Sequence, residues 1–308
     1  MEPIKQGATG LYIVSGFATP TMVTRHMIDI KDKLKIKGFK INLLVGMVPR
    51  CDMGIKSHEN FKILTKNEYN INFSCSYVYN IFPVHSKLYI FSKNYKPIKA
   101  FIGSANYTQT GFGDKQLEII NDCNPVNAMR YFNKIEKNTI ICTHPDVKEY
   151  VNIIKEERYR KHVDITDKEA GKNVKRGAIV SKDKVTFPLK VGYHSGLNWG
   201  QREGRNPNQA YISLPASVYK TDFFPPRKEV FTIWTDDNKS IICVRAQDNG
   251  KAIHSTSNNA LLGEYFRNRL KVPDGQRVRQ EDLERYGRVD VTFLKIDDET
   301  YFMDFSVK

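Results

Sequence analysis

The chain has no apolar run near 20 residues, so no stretch reads as a membrane-spanning helix. Its opening residues, MEPIKQGATG, lack the apolar core of a secretory leader. Cysteine is sparse and odd in number: five residues, at 51, 75, 123, 142 and 243, without CxxC spacing. That argues against a disulfide frame and against a zinc ligand set. The seven histidines do not cluster with these cysteines at ligand spacing either, so no metal and no other cofactor is expected. The GxxxxGK[ST] pattern is missing, so any use of ATP has to come from a partner. Negative charge is also in deficit: 34 Asp and Glu against 48 Lys and Arg leave a net charge of +14. These features describe a reduced, cytoplasmic protein that faces a polyanion, most often nucleic acid.

What is present suffices for two domains. At 308 residues, with 40% apolar and 27% charged side chains, the chain can bury substantial cores. Up to about residue 160, apolar strand-like runs alternate with helical ones, an α/β pattern with both sheet faces covered. The expected strands are 10–17, 40–47, 72–79, 84–91, 98–103 and 116–121. Helices are expected over 19–35, 57–67, 125–137 and 146–158, the first with Thr19-Pro20 at its start. Residues 161–176 are charged and poor in large apolar groups, which reads as a linker. From 177 to 308, short apolar segments separated by turn signals predict a mainly-β, barrel-like domain with one clear helix, 259–270.

Three short segments of the first half carry chemistry: His85-Ser86-Lys87, then Gly103-Ser104-Ala105-Asn106, then Glu118, each in an apolar, β-rich run. A neutral imidazole is a nucleophile near neutral pH, with an ordinary pKa of about 6.5. An ammonium, an amide and a hydroxyl can hold the non-bridging oxygens of a phosphodiester. A carboxylate at position 118 can accept from the second ring nitrogen of His85 and fix its tautomer. His85 and Lys87 alone could be an ordinary strand-edge pair; it is the GSAN segment and the apolar-flanked Glu118 that favour a site.

The pattern His85-x-Lys87, Gly103-Ser104-x-Asn106 and Glu118 resembles the signature of the phospholipase D superfamily, closest to its nuclease branch. The resemblance implies an α/β sandwich and the catalytic set His85, Lys87, Ser104, Asn106 and Glu118. One departure is Ser92, where the superfamily pattern usually has an Asp.

Two polar segments interrupt the β pattern of the second half. GYHSGLNWGQREGRNPN (192–208) holds His194, Ser195, Asn198, Trp199, Gln201, Arg202, Arg205 and Asn206. The second comprises His254, Ser255, Asn258 and Asn259 and runs on to Arg267 and Arg269. Asn, Gln and Arg can pair with purine edges, and Ser and Arg can hold phosphates. A solvated surface loop is the plain alternative for each, and the matching chemistry of the two favours DNA contact. This half resembles the B3-like DNA-recognition domain, a pseudobarrel, of restriction endonucleases of the NgoFVII and BfiI type, mostly through residues 196–202. Catalytic domain first and DNA-reading domain second is also the order the resemblance implies.

Related enzymes use two HxK motifs, and this chain has one; His58 has no Lys two residues on, and there is no second GSxN. A symmetric homodimer supplies the second imidazole. The expected activity is therefore site-specific, metal-free cleavage of double-stranded DNA. Two alternatives stay open: a nuclease subunit that needs a helicase-like ATPase partner, as in some restriction systems of this kind, and a phosphodiesterase acting on lipid.

Overall fold

A computed structural model of the chain describes residues 2–66, 71–113, 116–155, 179–237, 239–256 and 258–307. The expected linker, 161–176, lies outside the described residues. The chain divides into two compact units, Met1–Glu156 and Glu157–Lys308.

The strands of the first unit are β1 (Gly10–Ser15), β2 (Lys40–Val45), β3 (Met53–Gly54), β4 (Asn72–Val78), β5 (Lys87–Lys93), β6 (Lys96–Gly103), β7 (Ile120–Cys123), β8 (Thr139–Ile141) and β9 (Ile153–Ile154). Seven of them form one sheet in the order β7-β6-β5-β1-β2-β4-β8, while β3 pairs with β9. β1, β2 and β4 run parallel, and the remaining pairings of the sheet are antiparallel. Parallel neighbours need a crossover. Helices Pro20–Ile28 and Ile55–Leu64 supply the two crossovers and bury Val23, Met27, Phe61 and Leu64. The first starts where Thr19 accepts from the Met22 amide at 3.4 Å, with Pro20 in its first turn. Helix Pro125–Glu136 lays Ala128, Phe132 and Ile135 against Val14, Leu44, Leu88, Ile90 and Ala100.

Two expected elements change. The helix expected over 146–158 is the single turn Val147–Tyr150, after which Ile153–Ile154 extends to pair with Met53–Gly54. The β-branched Val151, Ile153 and Ile154 suit a strand better than a helix. The last strand of the sheet starts at Ile120 instead of Gln116, because it is an edge strand with one neighbour and pairs only from Gly103↔Ile120 onward.

His58 lies inside this unit, 2% exposed, with Nδ1 3.1 Å from the Tyr77 hydroxyl. Burial, with Lys62 and Lys148 nearby, lowers its pKa to about 4. The unfolded chain therefore takes up this proton first on acidification. Stability that is complete above the ordinary pKa should be lost between about pH 6.5 and 4, by on the order of 3 kcal/mol. Urea midpoints measured across that window should fall, and His58→Gln should flatten the fall.

The second unit contains β10 (Ile179–Val180), β11 (Lys184–Pro188), β12 (Ile212–Ser213), β13 (Val230–Thr235), β14 (Ser240–Ala246), β15 (Ala252–Ser255), β16 (Asp290–Lys295) and β17 (Thr300–Asp304). They make one sheet, β10-β11-β16-β17-β13-β14-β15-β12, antiparallel except for β13 beside β17. Phe187, Phe224, Phe231, Phe293 and Tyr301 pack in its core together with Leu262, Phe266 and Leu270 of helix Leu261–Leu270. Arg245, 7% exposed, donates to the carbonyls of Tyr219, Phe224, Pro225, Asn249 and Gly250 and so ties two loops to the sheet. Helix Gln280–Tyr286 was not expected, only 259–270 having read as a clear helix.

Candidate active site

Register brings the three motif segments to one end of the first sheet. Leu88 of β5 lies opposite Val14 of β1, and Lys87 lies opposite Gly103 of β6. The residues just beyond those positions, Gly16-Phe17, His85 and Ser104–Asn106, therefore converge. His85 precedes its strand and is exposed. Gly16 lies directly beneath it: a Cβ there would stand 2.7 Å from the imidazole Cδ2 and 3.4 Å from Asn106 Oδ1. The Phe17 ring and the imidazole meet edge to face with centroids 6.0 Å apart, and the Phe17 amide donates to Asn106 Oδ1 at 3.1 Å. That bond fixes which end of the Asn106 amide is left to donate. Tyr89 holds the same loop from below through its hydroxyl, which donates to the Ala105 carbonyl at 2.6 Å.

Lys87 is only 6% exposed and donates from Nζ to the His85 carbonyl at 2.6 Å. Burial pulls its pKa below the ordinary lysine value, and the charge of Glu118 opposes that shift. The ammonium is thus partly desolvated at the His85 carbonyl, and low solvent exposure strengthens its attraction for an anion.

The sequence expectation for Glu118 and the geometry differ. Glu118 accepts from the Ser104 hydroxyl and from the Gln116 amide, while Ser104 Oγ itself accepts from the Ile119 amide at 3.0 Å. Among the described residues no hydrogen bond joins Glu118 to His85. Glu118 lies in the loop before the edge strand, and its neighbours Leu117 and Ile119 are 103% and 62% exposed. Gly103 permits this arrangement, since a Cβ there would stand 1.9 Å from the Ile119 carbonyl oxygen. Ser92, the departure from the superfamily pattern, is 2% exposed at the far end of β5, with its Oγ packed against Gly10. Sequence reasoning did not single out Gly16, Phe17, Tyr89 or Gln116. The Ser15-Gly16 turn at the end of an apolar strand was the one signal available for the first two.

In the second unit the polar loop 192–208 splits into an outer and an inner set. His194, Arg202, Arg205 and Asn206 are exposed, and Ser195, Trp199 and Gln201 are half-buried. The Arg205 guanidinium lies 4.1 Å over the Trp199 ring, and Arg202 donates to the His194 carbonyl at 2.9 Å. Asn198 is fully buried: Nδ2 donates to the Val278 carbonyl at 2.7 Å, and Oδ1 accepts from the Val278 amide at 2.9 Å. Gln201 donates to the carbonyls of Pro207 and Gly275.

The second expected segment turns mostly inward. His254 lies on β15, and Ser255 is fully buried with its hydroxyl on the Asn258 carbonyl at 2.6 Å. Asn258 and Asn259 form the half-buried turn into helix Leu261–Leu270, Asn258 accepting from the Ala260 amide at 2.9 Å. Arg267 is fully buried on the carbonyls of Gln276, Gly263, Leu197 and Pro207. Arg269 is paired with Asp236 at 2.7 Å and donates to Tyr286 and Phe305. As folded, these side chains hold the loops in place, and their donors are engaged inside the domain.

Residues 1–149 match the family model for the NgoFVII restriction endonuclease N-terminal PLD domain, and residues 176–297 match that for the NgoFVII C-terminal B3-like DNA-binding domain. The chain belongs to the NgoFVII restriction endonuclease family. It is a phosphodiesterase of the nuclease kind, with a PLD-like catalytic domain first and a B3-like DNA-binding domain second. In NgoFVII terms, the end of the first sheet that carries His85 belongs to the catalytic domain, and the loop 192–208 belongs to the DNA-binding one. The two together make a site-specific nuclease whose partner is DNA.

Three solved structures are similar to the NgoFVII-type chain. Nuc from Salmonella typhimurium, a phospholipase D family member, is 14% identical over 46% of this chain and 86% of that one, with a TM-score of 0.32. NucT from Helicobacter pylori is 13% identical over 42% and 80%, with a TM-score of 0.30. Polyphosphate kinase from Porphyromonas gingivalis is 15% identical over 54% and 25%, with a TM-score of 0.30. No curated protein matches. Among the described residues no three His, Cys, Asp or Glu side chains converge as metal ligands would, and no helix is long and apolar enough to cross a membrane.

Proposed function

We propose that the chain is a cytoplasmic restriction endonuclease that hydrolyses double-stranded DNA through a covalent phosphohistidine, without a metal, in an active site shared by two copies. Residues 1–160 carry the chemistry, residues 177–308 read the sequence, and 161–176 link them. The observation that carries the reading is an exposed imidazole at His85 beside the partly desolvated Lys87 and the oriented Asn106, once per chain.

In the reaction, the neutral His85 of one copy attacks phosphorus while the imidazolium of the other gives its proton to the departing 3′ oxygen. The pentacoordinate phosphorus gathers negative charge on its non-bridging oxygens, and Lys87 and Asn106 of both copies stabilise it there. The second imidazole, now neutral, takes a proton from water as that water attacks phosphorus. The phosphorus–nitrogen bond breaks, leaving a 5′ phosphate and both imidazoles as they began. Ser104 and Glu118 shape the loop that carries Asn106, and the Glu118 charge offsets part of the lowering that burial imposes on the Lys87 pKa. Identical imidazoles must start in opposite protonation states, so the pair titrates as one coupled unit.

Incubating the purified protein with plasmid DNA in excess EDTA tests the metal-free step. Discrete fragments at an undiminished rate are expected, with a nicked form preceding them because one shared centre cuts one strand at a time. Loss of cutting on chelation, restored by magnesium, would contradict it. Silence until a translocating ATPase is added would support the partner-dependent reading, which the missing P-loop leaves open.

A further inference from the structure

Segment 273–279 follows helix Leu261–Leu270 and is fastened to the loop 192–208 from several sides. Asn198 makes the two bonds to Val278 described above, Gln201 donates to the Gly275 carbonyl at 3.1 Å, and the Gly275 amide donates to Asn208 Oδ1 at 2.7 Å. Arg267 adds a bond to the Gln276 carbonyl at 2.7 Å. Polar side chains that the sequence offered as DNA contacts therefore fix a second segment beside the loop. That segment presents Arg277, which is half-buried, with its guanidinium 3.7 Å above the ring of Tyr193. Tyr193 itself is 68% exposed and meets His194 edge-on at 4.3 Å.

The contrast with the other arginines is informative. Arg202 donates to a backbone carbonyl, Arg267 to four of them, and Arg269 to a carboxylate, while Arg205, which also lies over a ring, reaches Gln209 Oε1 at 3.5 Å. Among the described residues, Arg277 has neither a carboxylate nor a carbonyl partner. A guanidinium packed over an aromatic ring has lost much of its rotamer freedom while its five N–H groups stay available to a further partner. A planar, pre-oriented fork with free donors matches the O6 and N7 acceptors on the major-groove edge of guanine.

We propose that Arg277, stacked on Tyr193, reads a guanine in the recognition sequence, as part of a surface formed jointly by residues 192–208 and 273–279. This rests on the site-specific reading above. The guanidinium makes a bidentate contact to one base, and the tyrosine holds it in register.

The test is selection of bound duplexes from a random-sequence pool by full-length chains carrying His85→Ala, which bind without cutting. The parent should enrich a motif containing guanine. Adding Arg277→Ala should erase the preference at one guanine position by roughly 5- to 150-fold and leave the other positions intact. Arg277→Lys, which keeps the charge and the loop but lacks the fork, should not restore it. Tyr193→Phe should retain the preference and Tyr193→Ala should weaken it. An unchanged motif with Arg277→Ala would overturn the proposal. So would a uniform loss of affinity for all duplexes with a shallower salt dependence, which marks a phosphate contact. A parent that enriches no motif would overturn both this proposal and the site-specific reading, which separates the two failures.

Discussion

Replacing His85 by alanine should leave duplex binding within a few-fold of the parent and lower cleavage by about 10⁴-fold or more, as loss of a nucleophile does elsewhere. The physical basis is the division of labour that the proposed reaction assigns to the end of the first sheet. Lys87 and Asn106 supply charge and hydrogen bonds but offer no group able to attack phosphorus at neutral pH. His85 is exposed, precedes its strand and makes no hydrogen bond through its ring among the described residues, so its removal costs the fold little. Gly16 and the Phe17–Asn106 bond remain to shape the phosphate site. A denaturing quench of the parent during turnover should capture a DNA fragment joined to the protein by an acid-labile, alkali-stable bond. The same quench of His85→Ala should capture none. Residual cutting within tenfold of the parent would remove His85 from the chemistry.

The fold class and the convergence of the motif segments were legible because they depend on local signals. Thr19-Pro20 and Asn124-Pro125 mark helix starts, and the structure caps both helices there. The alternation of strands and helices fixes the parallel crossovers of β1, β2 and β4. Glu118 was less legible. Its apolar neighbours read as a buried strand, yet they lie in an exposed loop before the edge strand, and solvent exposure there is a tertiary fact that an apolar run cannot report. The polar residues of the second unit carried a similar ambiguity. Asn, Gln and Arg suit base edges, but they suit buried carbonyls as well, and Asn198 and Arg267 took the second use. Arg277 lay unnoticed because its partner ring is 84 residues earlier in the chain, a pairing that only folding makes.

Mixing intact chains with His85→Ala chains should inhibit more strongly than dilution predicts. The proposed reaction uses a base-form imidazole to attack and an acid-form imidazole to release the 3′ oxygen, and one chain supplies a single His85. A dimer with one altered copy therefore lacks either its nucleophile or its acid, and only dimers with two intact copies turn over. With random exchange, an equal mixture should retain about one quarter of the intact activity, against about one half if each chain worked alone. A ninefold excess of altered chain widens the gap to about one hundredth against about one tenth. The measurement is the initial rate of plasmid cleavage in EDTA as the altered fraction rises at constant total protein, after incubation long enough for subunits to exchange. A rate that follows the square of the intact fraction is the predicted result. A rate directly proportional to that fraction, from chains shown to have exchanged, would mean that each chain carries a complete active site of its own.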